Sequence, residues 1–205
     1  MKFWLRSVLI TAIILVLLQT AGFVLKQGSD LRARTQLTQR GWVFKDQGFI
    51  PLIGGGKGIP LFGKAVQAEL NLDRDGTPIP LVIEEVNRIG ELASVQYLSV
   101  AGNTPLSIEA ARALGQVGSL RGLSLRGFDL SRESLRAILA GKNQIEYLQI
   151  RGGRTPCTAL HEVFDRTLVL DIDDYAFSIA EVKMCLPVDC KCLVYIRTNF
   201  GRFKL

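Results

Sequence analysis

Four cysteines fall in the last quarter of the chain, Cys157, Cys185, Cys190 and Cys192, and any covalent or metal chemistry would start from them. In an exported protein they point to one or two disulfides, with three pairings open and no spacing rule to choose among them. In a reducing compartment the same residues would be free thiols. A zinc site shared with His161 needs Cys-x2-4-Cys pairs. Cys185-x4-Cys190 stands at the edge of that range, and Cys190-Lys-Cys192 is too tight for a knuckle. His161 is the only histidine, so any mechanism needing a pair of them is excluded; in an expected helix over 158–164 it reads as a surface or satisfied residue. Asp171, Asp173 and Asp174 have the right chemistry for acid-base or metal work, but alternation puts Asp171 and Asp173 on the open face of a strand, where solvated carboxylates are expected. Gly54-Gly55-Gly56-Lys57-Gly58 tempts a phosphate-loop reading; its spacing fails, because Pro51 occupies the first glycine position and Gly58 follows the lysine. No metal, no cofactor and no small-molecule substrate are expected, and the chain reads as a non-enzyme.

Length and charge narrow the class. At 205 residues, with 48% apolar and 21% charged residues, the chain has the composition of one globular domain with an appendage, which excludes wholesale disorder and a polytopic membrane protein. The formal charge of +6 is local: residues 1–60 carry eight Lys/Arg against two Asp, whereas residues 61–205 carry 17 of each sign. The body is neutral, so a membrane is a better anionic partner for the basic end than nucleic acid.

Residues 4–25 are almost wholly apolar, and the 19 residues from Ser7 to Leu25 would cover about 28 Å as a helix, roughly one hydrocarbon core. A retained signal-anchor, a cleaved signal peptide headed by Lys2 and Arg6, and a buried core helix are the three readings. Lys26, Arg32, Arg34 and Arg40 after the span argue for a cytoplasmic body under the positive-inside rule. The short charged N-terminus and the even number of cysteines favour export, giving a single-pass membrane protein with an extracytoplasmic body, or a secreted one after cleavage. Residues 27–41 read as a polar juxtamembrane linker, helical in part or not at all.

The body repeats at an offset of 25: Val95-Gln-Tyr-Leu98-Ser-Val100, Leu120-Arg-Gly-Leu123-Ser-Leu125 and Ile145-Glu-Tyr-Leu148-Gln-Ile150 share the template apolar-x-x-Leu-x-apolar. Looser copies are Leu70-Asn-Leu72, Leu170-Asp-Ile172 and a last strand in Leu193 to Ile196. Between them lie helical patterns: Ser107 opens one over 108–117, Ser131 opens another over 132–140 closed by Gly141, Thr155-Pro156 starts one toward Asp165, and Ser178 with Glu181 forms a capping box. Trp42, Phe44, Phe49 and Phe62 mark residues 42–63 as an N-terminal cap, with a strand over Trp42 to Phe44 and a helical turn near Leu61 to Gly63; residues 199–205 form an aromatic tail.

These blocks resemble the leucine-rich repeat family, in its 22 to 25-residue forms behind a single membrane anchor. The unit Val95-x-x-Leu98-x-Val100-x-x-Asn103-x-x-Leu106 carries the family's asparagine, but Phe128 and Gly153 stand at the equivalent positions, so the asparagine ladder is nearly absent. The resemblance implies an α/β leucine-rich repeat solenoid over 64–198, with a short parallel concave sheet, convex helices, and Leu98, Val100, Leu123, Leu125, Leu148 and Ile150 inside. It further implies that the concave face binds a protein partner. The outward residues in successive units are Glu69, Asn71, Asp73; Tyr97, Ser99, Ala101; Gly122, Ser124, Arg126; Tyr147, Gln149, Arg151; and Asp171, Asp173. Tyr97, Tyr147, Arg126 and Arg151 are of the types that dominate interfaces. A surface charge ladder through Arg126, Arg151 and Asp173 is the alternative, as is a structural scaffold without a ligand.

Overall fold

The computed structural model describes residues 2–47, 64–70, 77, 79–92, 94–142, 145–164, 166–167, 169–173, 179–187, 190, 192–198 and 201–205. The glycine loop at 54–58, the helical turn near 61–63, Asn71, Leu72, Asp73, Asp174 and Ser178 lie outside these.

One helix, α1 (Lys2–Gln39), takes in both the apolar segment and the residues read as a linker. The linker reading missed an i, i+4 pair. Ala33 packs on the core and Leu37 is only 1% exposed, so the polar half of the helix has a narrow apolar edge to dock with. Arg88 donates to Gln36 at 2.9 Å across the same contact. The helix ends where Gly41 adopts a φ of 95°, a left-handed turn that leads directly into β1. Toward the N-terminus, Ile13, Ile14, Leu15, Val16, Leu17, Leu18, Val24 and Leu25 are exposed, and α1 is the one helix among the described residues long and apolar enough to cross a membrane.

Among the described residues, eight strands form a single sheet in chain order: β1 (Trp42–Gln47), β2 (Lys64–Leu70), β3 (Tyr97–Ala101), β4 (Gly122–Arg126), β5 (Tyr147–Arg151), β6 (Val169–Asp173), β7 (Leu193–Thr198) and β8 (Gly201–Lys204). Strands β2 to β7 are parallel, and antiparallel β1 and β8 close the two ends. The crossovers carry α2 (Ile83–Glu91), α3 (Ile108–Gln116), α4 (Arg132–Leu139), a 3-10 turn Cys157–Leu160 running into α5 (His161–Phe164), and α6 (Ile179–Cys185). Adjacent parallel strands joined by crossovers of one hand put every helix on the same side of the sheet, leaving the other side open.

The register converts the 25-residue period into ladders. Leu98, Leu123, Leu148, Leu170 and Val194 stand opposite one another, as do Val100, Leu125, Ile150, Ile172 and Ile196, all at most 2% exposed. At the first strand the expected match is corrected by two residues. Ala68 pairs with Leu98 and Leu70 with Val100, so the copy begins before Leu70-Asn-Leu72. Trp42, fully buried on β1, covers that end.

Ser107 and Ser131 cap α3 and α4, their hydroxyls accepting from the amides of Ala110 and Ser134 at 3.1 Å each. Two helix expectations change. Pro156 precedes the 3-10 turn as its cap instead of opening an α-helix. Gly141 is not a left-handed C-cap, since it is absent from the residues with positive φ; it is needed because a Cβ there would lie 1.9 Å from the carbonyl oxygen of Gly115.

Asn103 is exposed in its turn, and the units are tied by the backbone instead. The amides of Gly102, Gly127 and Leu130 donate to the carbonyls of Arg126, Arg151 and Arg154 at 2.8, 2.6 and 2.9 Å. Phe128, at one of the missing asparagine positions, lays its ring where a Cβ of Gly102 would be.

Candidate recognition face

On parallel strands in register, side chains at matched positions share a face, so the open side of the sheet is ordered into rows. The first row is Gln67, Tyr97, Gly122, Tyr147, Val169 and Leu193; the second is Glu69, Ser99, Ser124, Gln149, Asp171 and Tyr195. The third begins Ala101, Arg126, Arg151 and is continued by the facing pair Asp173 and Arg197. Aromatic, polar and basic character thus change in steps along each strand.

Tyr97 is 46% exposed and leans over the next strand. Gly122 permits this: a Cβ at that position would sit 2.4 Å from the tyrosine ring. The missing side chain lets the ring lie against the sheet.

The second row is largely self-satisfied. Ser124 donates to Gln149 Oε1 at 2.9 Å, Gln149 donates to the Tyr147 hydroxyl at 2.9 Å, and that hydroxyl donates to Asp171 Oδ2 at 3.2 Å. Burial, and after it the Asp171 carboxylate, push the Tyr147 phenol above its ordinary range. The expectation of solvated carboxylates is corrected at Asp171, which is 1% exposed. Arg197 and Arg202 cover it at 3.5 and 3.1 Å, and Arg202 lies 3.8 Å above the Tyr195 ring. Ser99 and Gln149, expected to face a partner, are buried too.

In the third row, Arg126 and Arg151 are half-buried neighbours on β4 and β5. Arg126 Nη2 donates to Ser99 Oγ at 2.9 Å, yet the Nε of each arginine is buried with no hydrogen-bond partner among the described residues. Further along this row, Asp173 accepts from the Gly152 amide at 3.0 Å. At the β2 end, Glu69 takes Lys45 at 2.9 Å and also accepts from Gln67.

The cysteines divide. Cys157 and Cys185 form a disulfide between the 3-10 turn and the end of α6, with Cα atoms 6.1 Å apart. Cys190 and Cys192 are free, and burial followed by the neighbouring Cys190 pushes the Cys192 thiol up to about 11. His161 is exposed and meets Phe164 edge-on at 6.0 Å. Among the described residues no three His, Cys, Asp or Glu converge to hold a metal.

Tyr97, Ser99, Ser124, Arg126, Tyr147, Gln149, Arg151, Asp171 and Asp173 all lie on the open side, but only Tyr97, Arg126, Arg151 and the partly exposed Ser124, Tyr147 and Asp173 offer surface there. Sequence reasoning missed Tyr195, Arg197 and Arg202. Alternation along the Leu193 to Ile196 strand marks the first two, whereas Arg202 requires the β7–β8 hairpin. It also missed Glu85, which at 6% exposure accepts from Trp42 Nε1 at 2.8 Å and Arg40 Nε at 3.0 Å, joining α2 to the end of α1 and to β1. Set beside known proteins, the chain matches no family model, no curated protein and no solved structure.

Proposed function

We propose that the chain is a leucine-rich repeat protein held at a membrane by the apolar part of α1, and that it acts by recognition, without chemistry, through the open face of its sheet. One observation carries this reading: Tyr97 is propped over Gly122 at 46% exposure, one row from Ser99 and two rows from Arg126. An exposed aromatic side chain held flat on a rigid element is what an interface anchor requires. The backbone ties at a 24-residue offset support the solenoid, and the Cys157–Cys185 disulfide supports an extracytoplasmic body.

A photo-crosslinking amino acid at position 97, 126 or 151, against control positions 109 and 112 on the helix side, tests the recognition reading in intact cells. A single adduct of constant mass from the open-face positions, missing from the controls and lost on Tyr147→Ala, is the expected result. Adducts at equal yield from both faces would refute it. The closed hydrogen-bond chain from Ser124 to Asp171 favours a second reading, a scaffold whose face is stabilised for its own sake; no adduct from any open-face position would leave that one standing.

A further inference from the structure

Arg126 and Arg151 pair across β4 and β5, about 5 Å apart at the backbone, with like charges side by side. Neither forms an ion pair among the described residues, and both have a buried Nε without an acceptor. The two carboxylates described on the neighbouring strand β6 are already engaged, Asp171 by Tyr147, Arg197 and Arg202, and Asp173 by the Gly152 amide. Like charges side by side with unmet donors are unfavourable in an isolated fold, and such local conflicts concentrate where a ligand completes the arrangement.

We propose that Arg126 and Arg151 form a clamp for a carboxylate carried by an acidic, extended segment of the protein partner; this rests on the open face being the recognition surface. Two guanidinium forks on adjacent strands can each give parallel N–H donors to one planar carboxylate. A single negative charge fits better than a phosphate dianion, because Asp171 and Asp173 both stand on β6, one strand from Arg151 and two from Arg126, Asp171 in the second row and Asp173 in the third. Along β4 the clamp lies four residues from Gly122, about 13 Å, which is the span of four residues in an extended chain. The segment therefore carries an apolar or aromatic side chain for Tyr97 and a Glu or Asp four positions away.

The test uses the full chain in detergent micelles. The probes are a nine-residue fluorescent peptide with Phe and Glu four apart, its Glu→Gln counterpart, and inorganic phosphate. Anisotropy is expected to show binding of the Glu peptide that weakens with salt, and to weaken about tenfold or more for the Gln peptide or for Arg126→Gln and Arg151→Gln. Arg151→Lys, which keeps the charge and the fold but loses the fork, is expected to lose affinity as well, while Arg112→Gln on the helix side leaves binding unchanged. Equal binding of both peptides, no effect of the arginine variants, or no binding at millimolar peptide would overturn the clamp. Phosphate that displaces the peptide at equal concentration would assign the arginines to phosphate and also overturn it. Failure of the recognition reading is separate: there the crosslinkers at positions 97, 126 and 151 give no adduct, or give adducts at the same yield as positions 109 and 112, whatever the peptides do.

Discussion

Gly141 offers a sharp test of how the helices pack, because its two possible roles predict different outcomes for the same pair of variants. If it were a left-handed cap, Ala would cost about 1 kcal/mol and Asn, which tolerates that conformation, less. The structure instead makes it a contact residue. A Cβ there lies 1.9 Å from the Gly115 oxygen and 2.6 Å from its Cα, both backbone atoms that cannot rotate away. Relieving this to an ordinary carbon–oxygen contact moves the ends of α3 and α4 apart by more than about 1 Å, enough to break the 2.9 Å bond from the Lys142 amide to Gly115. Losing that bond costs about 1 kcal/mol and the overpacking about 1 to 3, so Gly141→Ala should destabilise by about 2 to 4 kcal/mol and Gly141→Asn by at least as much. Gly152 supplies the contrast: with a φ of 61° and no atom nearer than 3.7 Å, it should lose about 1 to 2 kcal/mol as Ala and less as Asn. Guanidinium denaturation in micelles, read from buried Trp42 in a Trp4→Phe background, measures all four. Recovery of stability by Asn at position 141, or an Ala cost under about 0.5 kcal/mol there, would refute the contact argument.

Three further outcomes are expected. The Tyr147 phenol, raised by burial and then by Asp171, stabilises the folded state below its ordinary pKa of 10.0, and that contribution is lost as the pH rises through the higher folded value. In phenolate difference spectra against Tyr147→Phe it should therefore titrate above 10.0, and Asp171→Asn should bring it part of the way back; titration at or below 10.0 in the folded protein would count against the burial described. Cys192, held at about 11 and buried, should resist maleimide at pH 8 until the protein is unfolded, while half-buried Cys190 reacts in the native state; equal rates would contradict this. Glu85→Ala leaves the buried Trp42 indole without an acceptor and should cost about 2 kcal/mol, with faster hydrogen exchange over residues 33–40, and unchanged exchange there would disprove the link to α1.

How much of this was legible depended on whether a feature is local. The strands of β3, β4 and β5 were readable because Leu98, Leu123 and Leu148 recur at one spacing, and the starts of α3 and α4 because Ser107 and Ser131 act within a single turn. The first copy slipped by two residues because Leu70 and Leu72 satisfy the same template as Ala68 and Leu70, and only pairing with Leu98 and Val100 separates them. Asp171 reads as a solvated carboxylate on its own strand; the arginines that bury it arrive on β7 and β8, 26 and 31 residues later. Gly141 carries the composition of a helix cap, while its actual constraint lies 26 residues upstream at Gly115. Spacing rules describe neighbours in sequence, and these contacts are neighbours only in the stacked structure.

Since α1 stays helical through residues 26–39 and is pinned by Leu37, Gln36 and Glu85, the body is attached by a mast instead of a string. Fourteen residues of coil would let it wander over a hemisphere, whereas the same residues as helix fix it about 21 Å from the end of the apolar run. With that run seated in a bilayer as proposed, turning the helix about its axis turns the open face with it. The azimuth of the face toward its neighbours is then set by the turning of that helix in the bilayer, and the proposed acidic segment would have to lie at that height to reach it.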